Sequence, residues 1–151
     1  MDISVSWILD KFKCSSDVAE KALQGYQNYL KWEETNNMKI VSVEDEMVSE
    51  KYLYGGCLDC IFEKDGVLSI GDFKTSNAIY QDYLIQIAAY KNLWEECHPD
   101  RPITGGFHLL RFSKEHADFA HYFWGELDDA WRQFILFREA YDIDKLLRKR
   151  V

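Results

Sequence analysis

The chain has 151 residues, 47% of them hydrophobic and 15% aromatic, and its 26 acidic and 18 basic side chains give a net charge of −8. This length and apolar content suit one compact domain with a substantial core, so we predict a single domain over residues 1–151. No apolar run approaches the roughly 20 residues that span a membrane, so an integral membrane protein is not expected. Four cysteines and no evident signal peptide lead us to expect a reducing cytoplasm.

Two helices are predicted in the N-terminal part of the chain. Ser4 to Lys11 forms the first, and Ser15-Ser16-Asp17 caps a longer helix that runs to about Glu33. Apolar side chains recur along one stripe of the longer helix, at Val18, Ala22, Tyr26 and Leu30.

Three β-strands follow, and a short turn fixes how the last two of them pair. The strands are Met38 to Ser49, Tyr52 to Glu63 and Val67 to Thr75, and they are rich in branched and aromatic residues. The Asp65-Gly66 pair between the second and third strands is a strong signal for a two-residue hairpin turn. With those two residues in the loop, Lys64 faces Val67.

The hairpin register places two carboxylates side by side. Continued outward from the turn, it brings Asp59 directly opposite Asp72, with their Cβ atoms roughly 5 Å apart. Lys74 lies two residues past Asp72 and therefore projects from the same face. Like charges at this distance destabilise a sheet unless a cation binds or one carboxylate is protonated, and oxygen ligands suit Mg²⁺ or Mn²⁺. The alternative is an exposed Asp-x-Lys ion pair, which the apolar residues of these strands disfavour: Leu58, Ile61, Leu68, Ile70 and Phe73.

A third carboxylate is expected from the first strand. Glu44 and Glu46 share a face, which is also the face of Asp59 if the loop between the strands has two or four residues. A four-residue loop over Glu50 to Leu53 puts Glu44 opposite Asp59, and we therefore favour Glu44. Solvation of both glutamates is the alternative.

The rest of the chain is predicted as a helix, two strands and a helix. Asn77 to Glu96 forms the first helix, with Gln86 and Tyr90 one above the other near its edge. In the first of the two strands, His108 is expected to be a core histidine. Together the elements predict an α/β fold with a central mixed β-sheet flanked by helices. The last three elements are Gly105 to Phe112, Ala117 to Trp124 and Glu126 to Arg148.

These motifs, in this order, resemble the PD-(D/E)xK nuclease superfamily. A Gln-x-x-x-Tyr motif after the Asp-x-Lys strand is similar to the RecB-like exonuclease branch, and the resemblance implies a restriction-endonuclease-like core. The motifs extend over roughly Val41 to Trp94, about a third of the chain. They are Val-Glu44-Asp-Glu-Met-Val, Gly-Gly-Cys-Leu-Asp59, Gly-Asp72-Phe-Lys74-Thr-Ser and Gln86-Ile-Ala-Ala-Tyr90.

The resemblance implies a role for each of these residues. Asp59, Asp72 and the backbone carbonyl of Phe73 would hold Mg²⁺, with Mn²⁺ as a substitute. Glu44 would bind directly, through water, or to a second ion, and Lys74 would orient or help to deprotonate the attacking water. Gln86 and Tyr90 would position the site or the nucleic-acid backbone, while Thr75 and Ser76 would contact phosphate or, as we favour, cap the following helix.

Two features depart from the family pattern. Members of this branch often carry a histidine before the first acidic motif, whereas the first histidine here is His98. Some relatives hold an iron-sulfur cluster through one upstream cysteine and three near the C-terminus, a layout absent from this sequence, so no iron-sulfur cluster is expected. Cys57 and Cys60 lie three residues apart on a strand, point to opposite faces, and are expected to be structural thiols.

The resemblance implies a Mg²⁺-dependent deoxyribonuclease, an exonuclease of DNA recombination, repair or phage DNA processing, in the cytoplasm of a bacterium or a phage-infected host. A structure-selective or restriction-like endonuclease is one alternative, and a nuclease-like module that binds DNA or protein without cutting is another. The net charge of −8 opposes DNA binding at long range. It motivates the hypothesis that further copies of the chain, or a partner recombination protein, help to hold DNA.

Overall fold

The structure is a computed structural model that describes residues 3–151; the predicted domain also includes Met1 and Asp2, which lie outside the described residues. The predicted α/β fold, a mixed sheet flanked by helices, is confirmed. No helix among the described residues is long and apolar enough to cross a membrane. The elements are α1 (Val5–Phe12), α2 (Ser16–Thr35), β1 (Lys39–Ser49), β2 (Tyr54–Lys64), β3 (Val67–Thr75), α3 (Gln81–Cys97), β4 (Ile103–Phe112), β5 (Phe119–Trp124) and α4 (Asp128–Arg148).

The five strands lie in the order in which they occur along the chain. Neighbouring strands are antiparallel except β3 and β4, which run parallel because α3 carries the chain back across the sheet. On one face, α3 covers a buried cluster that includes Leu58, Ile61 and Ile70. On the other face, Tyr29 and Trp32 of α2 cover a second cluster. The sheet is therefore buried on both faces where β2, β3 and β4 meet.

Both predicted hairpin registers are confirmed. The β1–β2 ladder closes at Ser49 and Tyr54, which leaves the expected four-residue loop Glu50–Leu53. Between β2 and β3, Lys64 pairs with Val67. Asp65 and Gly66 have φ values of 51° and 78°, and positive φ at both central residues is the requirement of a type I′ turn.

The start of α3 differs from the prediction. The helix begins at Gln81 instead of Asn77, its N-cap is Tyr80, and no side chain caps it. The hydroxyl of Ser76 donates to the carbonyl oxygen of Ala78 within the preceding loop. The expectation that Thr75 or Ser76 caps this helix is therefore wrong, because four residues of loop separate Ser76 from the first turn.

The apolar stripe of α2 faces outward. Val18 and Tyr26 are exposed, whereas the buried residues of α2 are Ala19, Gly25, Tyr29 and Trp32. Burial of two large aromatic side chains outweighs burial of the smaller stripe, so the helix presents its Tyr29 side to the sheet. A Cβ atom at Gly25 would lie 3.1 Å from the Phe112 ring, so glycine permits the close approach.

Protonation of a buried histidine is expected to oppose folding in mild acid. His108 is 5% exposed, and its Nδ1 lies 2.9 Å from Nε2 of His121. Burial, with a smaller contribution from His121, lowers the pKa of His108 from 6.5 to about 4. Between these values the unfolded chain binds the proton and the folded chain does not, so stability falls as pH decreases.

We expect His108 to contribute a fall of about 2 kcal/mol in the free energy of unfolding between pH 7 and pH 5. Urea unfolding measures this contribution as the difference in pH dependence between wild type and His108→Gln, because the raised pKa of Asp72 acts in the opposite sense in both proteins. His108→Gln cannot bind that proton, so its stability should depend less on pH over the same range. An equal slope in both proteins would contradict the assignment to His108.

Candidate active site

Strands β2 and β3 separate at the predicted pair of carboxylates. Their ladder ends where Cys60 pairs with Gly71, while β3 continues beside β4 as far as Thr75. Asp59 lies just beyond this last pair, and its Oδ2 accepts a 2.7 Å hydrogen bond from the backbone amide of Phe73. The Asp59 carboxylate thus accepts the hydrogen bond that a neighbouring strand would otherwise accept from β3. This bond holds it close to Asp72, the residue before Phe73.

Asp72 is a carboxylate almost wholly removed from solvent. It is 2% exposed, and its Oδ2 lies 2.9 Å from Nζ of Lys74. Apart from this ion pair, the oxygen has no hydrogen-bond partner in the part of the chain that the structure describes. Burial raises the pKa of Asp72 to about 6, Lys74 acts in the opposite sense, and the negative charge of Asp59 adds to the rise. The site therefore favours a cation beside Asp72.

Lys74 joins the carboxylates to helix α3. Its ammonium donates to Oε1 of Gln86, and Nε2 of Gln86 donates to the Tyr90 hydroxyl at 2.9 Å. The same ammonium lies 4.9 Å from the centre of the Tyr83 ring, within the range of a cation–π contact. Burial raises the pKa of Tyr90, which keeps its hydroxyl protonated. The predicted Gln86 and Tyr90 pair thus lies next to the Asp-x-Lys strand.

Glu44 lies opposite Asp59 in the β1–β2 ladder, between the pairs Val43 with Cys60 and Asp45 with Leu58. Its φ of 50° is a left-handed conformation that a glutamate rarely adopts, and its side chain is exposed. Glu46, the alternative, is exposed as well.

Within residues 3–151, no group of three or more histidine, cysteine, aspartate and glutamate side chains is arranged to hold a metal ion. The third-carboxylate role of Glu44 stays a prediction.

The two aspartates nevertheless fit a magnesium ion. Mg²⁺ retains several water ligands and is commonly bound by one or two carboxylates, so a third protein carboxylate is not required. An oxygen of Asp72 without a hydrogen-bond partner and the neighbouring Asp59 carboxylate form a hard, anionic donor set of this kind. The backbone carbonyl of Phe73 completes the predicted set.

Arg111 is a residue near the site that the sequence did not assign to it. It pairs with Lys74 across the parallel β3–β4 ladder and is 8% exposed. Its guanidinium donates to the carbonyl oxygen of Ser76 at 3.0 Å and forms an ion pair with Asp118 at 3.2 Å. An arginine inside a largely apolar strand was the available signal in the sequence. Which residue of β3 lies beside it depends on the crossover through α3, which no local turn specifies.

The thiols behave as expected. Cys57 is exposed and Cys60 is buried, and both are free. Partial burial first, and then the negative charges of Glu46, Glu44 and Asp59, raise the pKa of Cys57.

Asp72 and Lys74 should affect stability in opposite directions. Asp72→Asn removes a charge whose burial is unfavourable, so the free energy of unfolding in EDTA at pH 7.5 should rise by about 1–3 kcal/mol. Lys74→Met leaves the buried carboxylate without its cation and should lower the same quantity by about 3 kcal/mol. Urea unfolding followed by circular dichroism measures both. Similar losses in the two variants would contradict the unfavourable burial of Asp72.

Comparison with known proteins gives no functional information. No protein-family model and no curated protein matches the chain. One solved structure, described as "Crystal structure of SSO0001", is 13% identical to this chain, with a TM-score of 0.41. The match covers 88% of this chain and 70% of the chain in that structure. A likeness at this level supports no functional argument, so the case for function depends on the geometry around Asp72.

Proposed function

We propose that the protein is a Mg²⁺-dependent deoxyribonuclease that hydrolyses phosphodiester bonds. The observation that carries the proposal is the buried Asp72, which has an oxygen without a hydrogen-bond partner beside both Lys74 and Asp59. Buried carboxylates with a raised pKa and a specific charged partner cluster at functional sites. The resemblance of the surrounding motifs to PD-(D/E)xK nucleases gives the type of reaction.

In this proposal Asp59, Asp72 and the carbonyl of Phe73 hold the ion, and Glu44 approaches from β1. A bound Mg²⁺ or Mn²⁺ lowers the pKa of water and neutralises charge that develops on the phosphate. Lys74 orients the attacking water and stabilises the incipient hydroxide through its positive charge.

Gln86 and Tyr90 hold the Lys74 ammonium in place through the hydrogen bonds that connect the three side chains. Asp72 thus has two tasks, as metal ligand and as ion-pair partner of Lys74.

DNA is the proposed substrate, and exonucleolytic cutting is the proposed mode. Both choices depend on the resemblance to the RecB-like branch. The negative charge of the chain opposes a polyanionic substrate at long range, and metal ions bound at the carboxylates would cancel part of that charge at the site. A cytoplasmic location in a bacterium or a phage-infected host, with a recombination protein as partner, belongs to the same proposal.

Cleavage of labelled DNA tests the proposal. The protein is incubated with end-labelled linear DNA and with closed circular DNA, in Mg²⁺, in Mn²⁺ or in EDTA. We expect loss of the linear DNA with either metal and none in EDTA, because the carboxylates hold the ion that activates water. Cutting of the circles would replace exonuclease by endonuclease.

Matched variants attribute the activity to this site. Asp72→Asn and Lys74→Met should each reduce the cleavage rate about 100-fold or more. Lys91→Met is the control, because Lys91 forms a partly buried helical ion pair with Glu95 and does not pair with Asp59 or Asp72; this variant should cleave at the wild-type rate. Unchanged cleavage in Asp72→Asn would contradict the assigned site. Metal-dependent DNA binding without cleavage would favour a non-catalytic module.

A further inference from the structure

A long apolar groove runs between α2 and the sheet, on the face opposite α3. Its volume is about 790 Å³. The outward-facing stripe of α2 forms one wall, from Val18 through Ala22 and Tyr26, and Tyr29 and Phe73 lie deeper in the groove. Since a helix rises 1.5 Å per residue, the wall from Val18 to Tyr29 is about 17 Å long. The groove is thus large enough for several apolar side chains presented in a row.

Helix α4 carries an apolar stripe that is exposed to solvent. The first part of α4 packs on α3 and, through Trp131 and Phe134, on Tyr52 and Tyr54 of the β1–β2 hairpin, and no residue of the helix is buried. Apolar residues at 4-3-4 spacing, typical of a helix face that packs against a partner, follow the opposite side. They are Leu136, Ala140, Ile143 and Leu147, and the three large ones are 55–56% exposed.

The stripe and the groove match in length and in local charge. From Leu136 to Leu147 the stripe is also about 17 Å long. Glu139 and Asp144 flank the stripe, one on either side. The charged residues that line the groove are Asp17, Lys21 and Lys114, and Asp17 forms an ion pair with Lys21 at 2.8 Å. The groove thus carries one more basic than acidic side chain, opposite a stripe with acidic flanks.

The distribution of net charge gives the direction of docking. The last seven residues carry four basic and no acidic side chains, so the net charge of −8 leaves −12 on the rest of the chain. Asp17 and Glu20 lie in the first turns of α2. With α4 antiparallel to α2, the basic end of α4 lies beside these carboxylates, and the opposed helix dipoles attract. Leu147 then lies near Val18, and Leu136 lies near Tyr29.

We propose that α4 of one copy docks, antiparallel to α2, in the groove of a second copy of this chain. Each copy offers one helix and one groove, so the contact is head-to-tail and continues into a ring or a filament. The docked helix would lie against Phe73, on the reverse side of the strand that carries Asp72 and Lys74. The inference uses none of the nuclease chemistry and is tested without it.

Sedimentation velocity over a range of protein concentrations tests the proposal with one helix variant and two groove variants. Leu147→Glu alters the helix and Ala22→Glu alters the groove; both positions are exposed, and thermal melts followed by circular dichroism check that each variant folds. Val18→Glu is a second groove variant. The control is Val48→Glu, at an exposed apolar residue of β1 that belongs to neither surface. We expect wild type and control to form species larger than the 17.8 kDa chain, and each surface variant to be monomeric.

Mixing the two variants gives the decisive measurement. The Leu147→Glu copy keeps an intact groove and the Ala22→Glu copy keeps an intact helix, so an equimolar mixture should form a 1:1 dimer that grows no further. A monomeric wild type at every concentration would overturn the proposal. So would assembly that responds to Leu147→Glu but not to either groove variant, because that result would mean pairing of two α4 helices.

Discussion

The Asp72 carboxylate is buried in the sheet beside the Lys74 ammonium, 2.9 Å away, and much of the surrounding structure keeps that ammonium in place. A buried carboxylate without a cation is destabilising by several kcal/mol, so Lys74 must not leave. Gln86 and the Tyr83 ring hold it from α3. One charge pair therefore ties the position of α3 to that of β3.

A glycine of β2 also helps to keep the Lys74 ammonium in place. A Cβ atom at Gly56 would lie 2.6 Å from Cε1 of Tyr90, so the absence of a side chain there lets Tyr90 sit over the strand and bond to Gln86. Tyr54 adds a second link, because its hydroxyl donates to the carbonyl oxygen of Ala89. Helix α3 is thus fastened to the hairpin at several points.

The parts of the site that follow from local rules could be predicted from the sequence. Asp65 and Gly66 specify a turn type, and counting outward from a turn gives the register of a hairpin, so the relation between Asp59 and Asp72 was accessible. The spacing of Gln86 and Tyr90 follows equally from the geometry of one helix. The register of the parallel strands β3 and β4 could not be predicted in this way, because the crossover through α3 has no turn from which to count. The position of Arg111 beside Lys74 therefore could not be derived. The buried side of helix α2 could not be derived either, because periodicity identifies an apolar stripe but not which of two apolar sides is buried.

The hydrogen bond from the Phe73 amide to Asp59 gives one carboxylate two unrelated duties. Its Oδ2 satisfies a backbone group where the sheet divides, which leaves Oδ1 as the atom with freedom to meet a ligand. Replacing Asp59 with alanine would remove the negative charge from the site and would also leave a strand amide without an acceptor. The effects of that change on the sheet and on the site could therefore not be separated. Asparagine retains an acceptor oxygen and discards only the charge. The architecture of the sheet and the chemistry of the site thus share a single pair of oxygen atoms.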